Sequence, residues 1–331
     1  MRRLGTNGPA VFPVGLGAMG MSDFYGPAGR AESIATIHAA LDAGVTLIDT
    51  GDFYGSGHNE LLIREALAGR NRASVVISVK FGSLRDPSGG WAGIDNSPAH
   101  VKNYLAQSLQ RLGTDYIDIY RPARLDPKVP IEETIGAMAE LVKAGYIGHI
   151  GLSEVSASTI RKAHAVHPVC DLQIEYSLIS RGIEKTILPA LRELGIGLTA
   201  YGVLSRGLIS GHWSKARERE PDFRGMMSPR FQGENLDKNL AIVEKLRALA
   251  GAKGCTVAQL AIAWVLGQGR DIVPLVGART RERLAESIGA LEVTLTAADL
   301  AEIEHAVPAN AAAGERYDAH GMRILDSERS E

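Results

Sequence analysis

Cysteine is scarce: two residues in 331, Cys170 and Cys255, far apart and without a second cysteine or a histidine at metal-ligand spacing. That count argues against a disulfide framework and against a zinc site, so no metal is expected and both thiols read as reduced. Charge of one sign is also missing. The formal net charge is −2 and acidic and basic residues are interspersed, which excludes the basic field that draws nucleic acid or an anionic membrane. No apolar run approaches the ~18 residues of a membrane span. Where a signal peptide would need its apolar stretch the chain has Thr6-Asn7-Gly8-Pro9, so the expected compartment is the cytoplasm. A Pro-, Gly- or Ser-rich linker and low-complexity segments are absent too, which leaves a single domain over 1–331.

What the chain does have is a rhythm. Short β-branched runs occur at 14–17, 47–48, 75–79, 117–120, 147–152, 171–175, 196–200 and 271–275. Amphipathic stretches lie between them at 32–41, 60–67, 101–112, 131–142, 184–194 and 257–266. Several carry boundary signals: Ser97-Pro98, a Thr256 to Gln259 capping box, and terminating glycines at Gly44, Gly113, Gly145 and Gly195. Strand then helix, repeated eight times, requires parallel strands joined by crossovers, and eight such units close most naturally into an α/β (β/α)₈ barrel. A doubly wound open sheet is the second choice. Two stretches break the rhythm, 211–233 and 308–331, and read as a long loop and a C-terminal tail at the barrel mouth.

Gly15-Leu16-Gly17-Ala18-Met19-Gly20 spells the dinucleotide fingerprint, but the fingerprint needs a helix opening at its glycines. The next residues form turns and the helical pattern starts only near Ala31, so the Rossmann reading is rejected. Chemistry is expected elsewhere. Asp49 and Lys80 end neighbouring strands and can form an ion pair at the functional face, with Tyr54 in the loop after Asp49. A phenol with a pKa of about 10 is a poor proton donor near neutrality, and an adjacent ammonium lowers that value. Lys80 is expected to supply the ammonium and Asp49 to hold it. Asp52, three residues on, reads as a solvated loop acid.

At these positions the chain resembles the aldo-keto reductase family. The likeness runs nearly end to end, through the 15–20 segment, Asp49-Thr50 with Tyr54-Gly55, Lys80, Gly151-Leu152-Ser153, Gln173-Ile174-Glu175-Tyr176-Ser177 and 201–207. It implies NAD(P)H-dependent carbonyl reduction by an Asp, Tyr, Lys and His tetrad. Asp49, Tyr54 and Lys80 inherit three of those roles. Ala18, Met19 and Asp49 fall at the cofactor site, Ser153 and Gln173 on the nicotinamide amide, and Tyr201 on its ring. The loop with Val203, Leu204, Ser205, Gly207 and Leu208 is similar to the family's pyrophosphate loop. Gly277, Arg279, Arg283, Glu286 and Ser287 match its adenosine-phosphate segment, where two arginines favour NADPH over NADH. Phe24, Tyr25, Trp91, Trp213 and Ala123 are substrate candidates, for a small carbonyl compound.

One departure stands out. In Tyr120-Arg121-Pro122-Ala123-Arg124-Leu125-Asp126, Ala123 occupies the position where similar sequences carry the tetrad histidine. Arg121 and Arg124 are possible replacements if they do not point to solvent. The tract 126–133 and the 201–207 segment are similar to bacterial-type reductases related to pyridoxal reductases and potassium-channel β subunits. Ala123 therefore also keeps open an NADPH-binding sensor subunit with slow turnover. A class I aldolase with Lys80 as Schiff-base nucleophile is the third reading, weakened because Asp49 would raise the lysine pKa.

Overall fold

All eight apolar runs become strands, and they close. The computed structural model describes residues 1–329 apart from 23, 27, 214–223, 226 and 227. A two-stranded antiparallel hairpin, β1 (Arg2–Arg3) and β2 (Ala10–Val11), comes first. The barrel begins with β3 (Gly15–Gly17), β4 (Leu47–Gly51) and β5 (Val76–Phe81). A second hairpin follows, β6 (Ser83–Arg85) and β7 (Trp91–Ile94). The barrel then continues through β8 (Ile117–Pro122), β9 (Ile147–Ser153), β10 (Val169–Glu175), β11 (Gly197–Tyr201) and β12 (Ile272–Gly277). Barrel strands pair in chain order, in parallel, and β12 pairs with β3 to complete the ring. The open-sheet alternative is thereby eliminated.

The helical pattern is close to the expected one because the punctuation works as chemistry requires. Gly44, Gly113, Gly145 and Gly195 all have left-handed φ, the conformation that ends a helix without a Cβ penalty. The capping box at Thr256 and Gln259 is formed. Ser97 departs from its expected role: proline takes the first helical position, but the serine hydroxyl bonds the Asp95 carboxylate and does not cap. The helices Ala157–Val166 and Gly233–Ala252 are additional. Of the expected loop 211–233, positions 214–223, 226 and 227 lie outside the described residues. Among the described residues no single helix is long and apolar enough to cross a membrane.

The barrel interior is layered. Leu47, Ile119, Cys170 and Val273 form an apolar floor with Leu4 and Val11, so the N-terminal hairpin plugs the bottom. Above it lies a polar layer. Arg121, fully buried, donates to Asp171 (3.1 Å) and Ser78 (3.1 Å), and Asp171 also accepts from Thr199. Glycine makes room: a Cβ at Gly151 would come within 3.0 Å of the Arg121 Cζ and 2.8 Å of the Asp171 carboxylate. The larger core lies between the strands and the ring of helices.

Candidate active site

The polar layer leads upward to Asp49. Register places Asp49 beside Ser78 and Gly51 beside Lys80, so two charged residues end adjacent strands on one face. Asp49 accepts from Ser78 Oγ (2.9 Å), from Gln173 Nε2 (2.7 Å) and from Lys80 Nζ, with both charged side chains buried. Lys80 Nζ lies 5.3 Å from the centre of the Tyr54 ring, over its face. The expected trio converges.

Its electrostatics differ from expectation. Burial pushes the Tyr54 phenol well above its ordinary value, and Asp49 adds to the rise, with Arg124 opposing. The sequence reading expects a lowered phenol; burial, with Asp49, carries it the other way. Burial lowers the Lys80 pKa itself, and Asp49 opposes that shift. Tyr54 is therefore held as the neutral phenol.

Asp52 also needs correcting. It is not a solvated loop acid: its amide bonds the Lys80 carbonyl (2.9 Å), and Oδ1 is buried without a hydrogen-bond partner. Burial raises its pKa well above the usual carboxyl range, and Glu60 raises it further, against Arg111. A carboxyl that binds its proton more tightly when folded has full stability below its unfolded pKa of about 3.9 and loses it as pH rises through the native value. Asp52→Asn should then raise Tm by about 1–2 °C at pH 8, with the gain vanishing near pH 4 in thermal melts.

Aromatic residues build one wall above this centre. Phe24 stacks on Trp91 (6.0 Å, 17°) and meets Tyr54 edge-on (6.5 Å), while Phe53 packs edge-on against both Tyr54 (4.9 Å) and Trp91 (5.8 Å). Trp91 is 52% exposed, held over the site by the β6–β7 hairpin and by Arg85, whose guanidinium lies 3.8 Å from its ring. Ala123, buried just past β8, joins Phe53 and Tyr54 in a small apolar cluster, with Met19 and Phe24 against it. Trp213 is nearly buried and packs on Phe231. Burial pushes the Tyr25 phenol up to about 12.

Arg121 and Arg124 separate cleanly. Arg121 sits inside the barrel on Asp171 and offers nothing to solvent or to a ligand. Arg124 turns toward the mouth, donating to the Ala123 carbonyl (2.7 Å) and reaching the Tyr317 hydroxyl at 3.5 Å.

The mouth also holds a buried ionic cluster that the sequence did not reveal. Glu154 follows β9 with φ +54, a left-handed conformation costly for a side chain with a Cβ. Its carboxylate accepts two bonds from Arg316 (2.8 and 2.6 Å), one from Tyr201 (2.6 Å), one from Ser327 (2.7 Å) and one from the Glu175 amide (3.1 Å). Glu175, at the end of β10, faces Arg206 (3.6 Å), Arg230 (3.6 Å) and Arg316 (3.5 Å). Burial alone would raise both carboxyls. For Glu154 the charge and hydrogen bonds of Arg316 outweigh it, and for Glu175 the three guanidiniums do, so both stay below the usual range. The 308–331 tail is thus tied into the mouth: Arg316 is buried, and Tyr317 lies 3.2 Å from the Tyr201 hydroxyl.

The remaining expected cofactor residues lie along the rim. Three successive left-handed residues, Ser205 (φ 47), Arg206 (58) and Gly207 (96), curl the loop after β11 into a concave turn of the kind that receives anions. At the end of β12, nothing lies within 4 Å of where a Gly277 Cβ would stand. Arg279 bonds the Tyr25 carbonyl, and Arg283 pairs with Glu286 (3.0 Å), which also meets His212 (3.0 Å). Ser287 is buried and donates to the Arg283 carbonyl (2.9 Å), back into its own helix. Residues 19–21 form a single 3₁₀ turn and the first α-helix starts at Arg30, so no helix opens at the glycines of the 15–20 segment.

Residues 13–308 match the Aldo/keto reductase family. A Glycine max protein described as probable aldo-keto reductase 1 is 44% identical over 319 residues, covering 95% of this chain and 91% of its own. This chain belongs to the aldo/keto reductase family. Among solved structures, a glycerol dehydrogenase from Gluconobacter oxydans superposes with a TM-score of 0.83 at 27% identity, covering 99% of this chain and 97% of its own. A holo-form aldo-keto reductase from Bacillus halodurans gives 0.77 at 27% identity, over 95% of this chain and 98% of that one. Membership makes this reductase an oxidoreductase of the carbonyl–alcohol type, in a family that generally uses a nicotinamide dinucleotide. The rim suits such a cofactor: open backbone at Gly277, two arginines and a concave loop.

Proposed function

We propose that this chain is a cytoplasmic, NADPH-dependent reductase of a small aldehyde or ketone, with Tyr54 as general acid. The observation that carries the reading is the buried Asp49–Lys80 pair set against the Tyr54 ring at the end of adjacent barrel strands.

When bound, the dinucleotide supplies hydride. The chain supplies everything else. Ser153, Gln173 and Tyr201 would hold the nicotinamide, with Ala18 and Met19 near it. Val203, Leu204, Ser205, Gly207 and Leu208 would hold the pyrophosphate, and Gly277, Glu286 and Ser287 the adenosine. Arg279 and Arg283 would hold the 2′-phosphate, a group that a planar guanidinium fork recognises well. Phe24, Tyr25, Trp91 and Ala123 line the substrate side and exclude water. Tyr54 delivers its proton to the developing alkoxide. Even a raised phenol pKa leaves that transfer favourable, since an alkoxide's conjugate acid is about as weak as water, with a pKa of about 15.7. Asp49 positions Lys80, whose ammonium lies over the face of the Tyr54 ring.

Ala123 leaves the carbonyl one donor short. Ala123→His should raise kcat/KM for a small aldehyde about tenfold, the effect of one transition-state hydrogen bond, while lowering it for bulky ketones that use the vacated space. Steady-state NADPH oxidation with benzaldehyde tests the whole reading. Tight NADPH binding with no multiple turnover would instead support the sensor subunit.

A further inference from the structure

Most cations of the barrel interior and mouth face a carboxylate. Lys80 faces Asp49, Arg121 faces Asp171, Arg206 and Arg230 face Glu175, and Arg316 faces Glu154, Glu175 and Glu328. Arg124 differs. Among the described residues no carboxylate lies within ion-pair distance of it; its guanidinium meets only the Ala123 carbonyl (2.7 Å) and the Tyr317 hydroxyl (3.5 Å). Two phenols and one buried ion pair surround it: Tyr201 and Tyr317 touch at 3.2 Å, and Tyr201 is bonded to Glu154, whose charge Arg316 already answers. Arg124 directly follows Ala123, which packs with Phe53 and Tyr54, so it stands next to the centre. With only a carbonyl and a phenol as hydrogen-bond partners, this half-buried guanidinium has donors left for an anion.

We propose that Arg124 binds an anionic group placed next to the reacting carbonyl, so that this reductase acts on carbonyl compounds bearing an adjacent carboxylate, such as 2-oxo acids. The side chain follows Ala123 directly, and the small alanine opens the approach that a carboxylate needs to reach Nη1 and Nη2 in a two-pronged bond. Tyr317 completes the pocket as a hydroxyl donor from the C-terminal tail. The aromatic wall of Phe24, Phe53 and Trp91 then receives the rest of the molecule. This inference rests on the reductase reading above.

Phenylglyoxylate and its methyl ester, which share the ketone and differ in charge, form the test pair. With NADPH, the native enzyme should prefer the acid in kcat/KM, and Arg124→Ala should lower the acid-to-ester ratio about 10- to 100-fold, the range for hydrogen bonds to a charged group. Arg124→Lys should restore part of that ratio by charge without the fork. Binding of phenylglyoxylate to the NADP⁺-loaded protein, which cannot reduce it, supplies a readout independent of turnover and should weaken by the same factor. An acid-to-ester ratio and an acid affinity that Arg124→Ala leaves unchanged overturn the proposal. Loss of the acid's binding in Arg124→Ala, when the native protein turns over NADPH with none of these carbonyls, upholds the anion site and sinks the reductase reading instead.

Discussion

Tyr54→Phe should lower kcat by about 10²- to 10⁴-fold, the range a positioned general acid contributes, while NADPH affinity by fluorescence titration changes little. Phenylalanine keeps the ring that Lys80 and Phe53 pack against and removes only the proton donor, so the loss belongs to chemistry and not to folding. The pH profile of the native enzyme carries a second, independent signature. Because burial and Asp49 raise the Tyr54 pKa, the phenol keeps its proton throughout the neutral range and loses it only as pH climbs above about 10. Reduction should therefore show no descending limb between pH 6 and 9. A limb near pH 7 assigned to Tyr54 would mean that Lys80 depresses the phenol, against the effect of burial and Asp49.

Arg316→Ala should cost about 3–5 kcal/mol, the range seen when one partner of a buried ion pair is removed, and lower Tm by roughly 4–8 °C. The variant strands Glu154, which loses two charge-assisted bonds, and removes one of three guanidiniums facing Glu175. It also unties the tail, since the same guanidinium bonds Glu328 (2.7 Å) and Ser327 (3.3 Å). Both carboxyls are depressed in the native state, so the stability they contribute is complete above their unfolded pKa of about 4.3 and is lost as pH falls through the native values. Urea unfolding from pH 7 down to pH 3 should show a steep decline for the native chain and a shallower one for Arg316→Ala. Arg316→Lys should recover charge but not the paired bonds to Glu154. Equal slopes would assign the tail's attachment to packing alone.

The barrel was legible because its signals are local. Apolar runs and left-handed glycines recur at short range, and a strand–helix alternation leaves few ways to close. Asp49, Lys80 and Tyr54 were legible for the same reason, standing at strand ends or just beyond. The ionic cluster was not. Glu154, Glu175, Arg230 and Arg316 come from segments up to 162 positions apart, and nothing in their spacing says that they meet. Asp52 is not legible as buried because loop position does not report exposure, whereas its amide bond to Lys80 holds it against the barrel. The direction of the Tyr54 shift is not legible because the burial that raises the phenol exists only in the fold. Phe53 and the β6–β7 hairpin were missed as site elements since their role depends on rings meeting in space: Phe24, Trp91 and Arg85 stack only once the hairpin folds over the mouth.

The central claim is that the buried centre around Tyr54 reduces carbonyls at the expense of NADPH. Its most direct test is multiple-turnover NADPH oxidation by the native chain at pH 7 with benzaldehyde and phenylglyoxylate, with the product identified by NMR. Stoichiometric formation of the alcohols over many turnovers is the predicted result. NADPH bound tightly and consumed with neither substrate would contradict the account and favour the sensor.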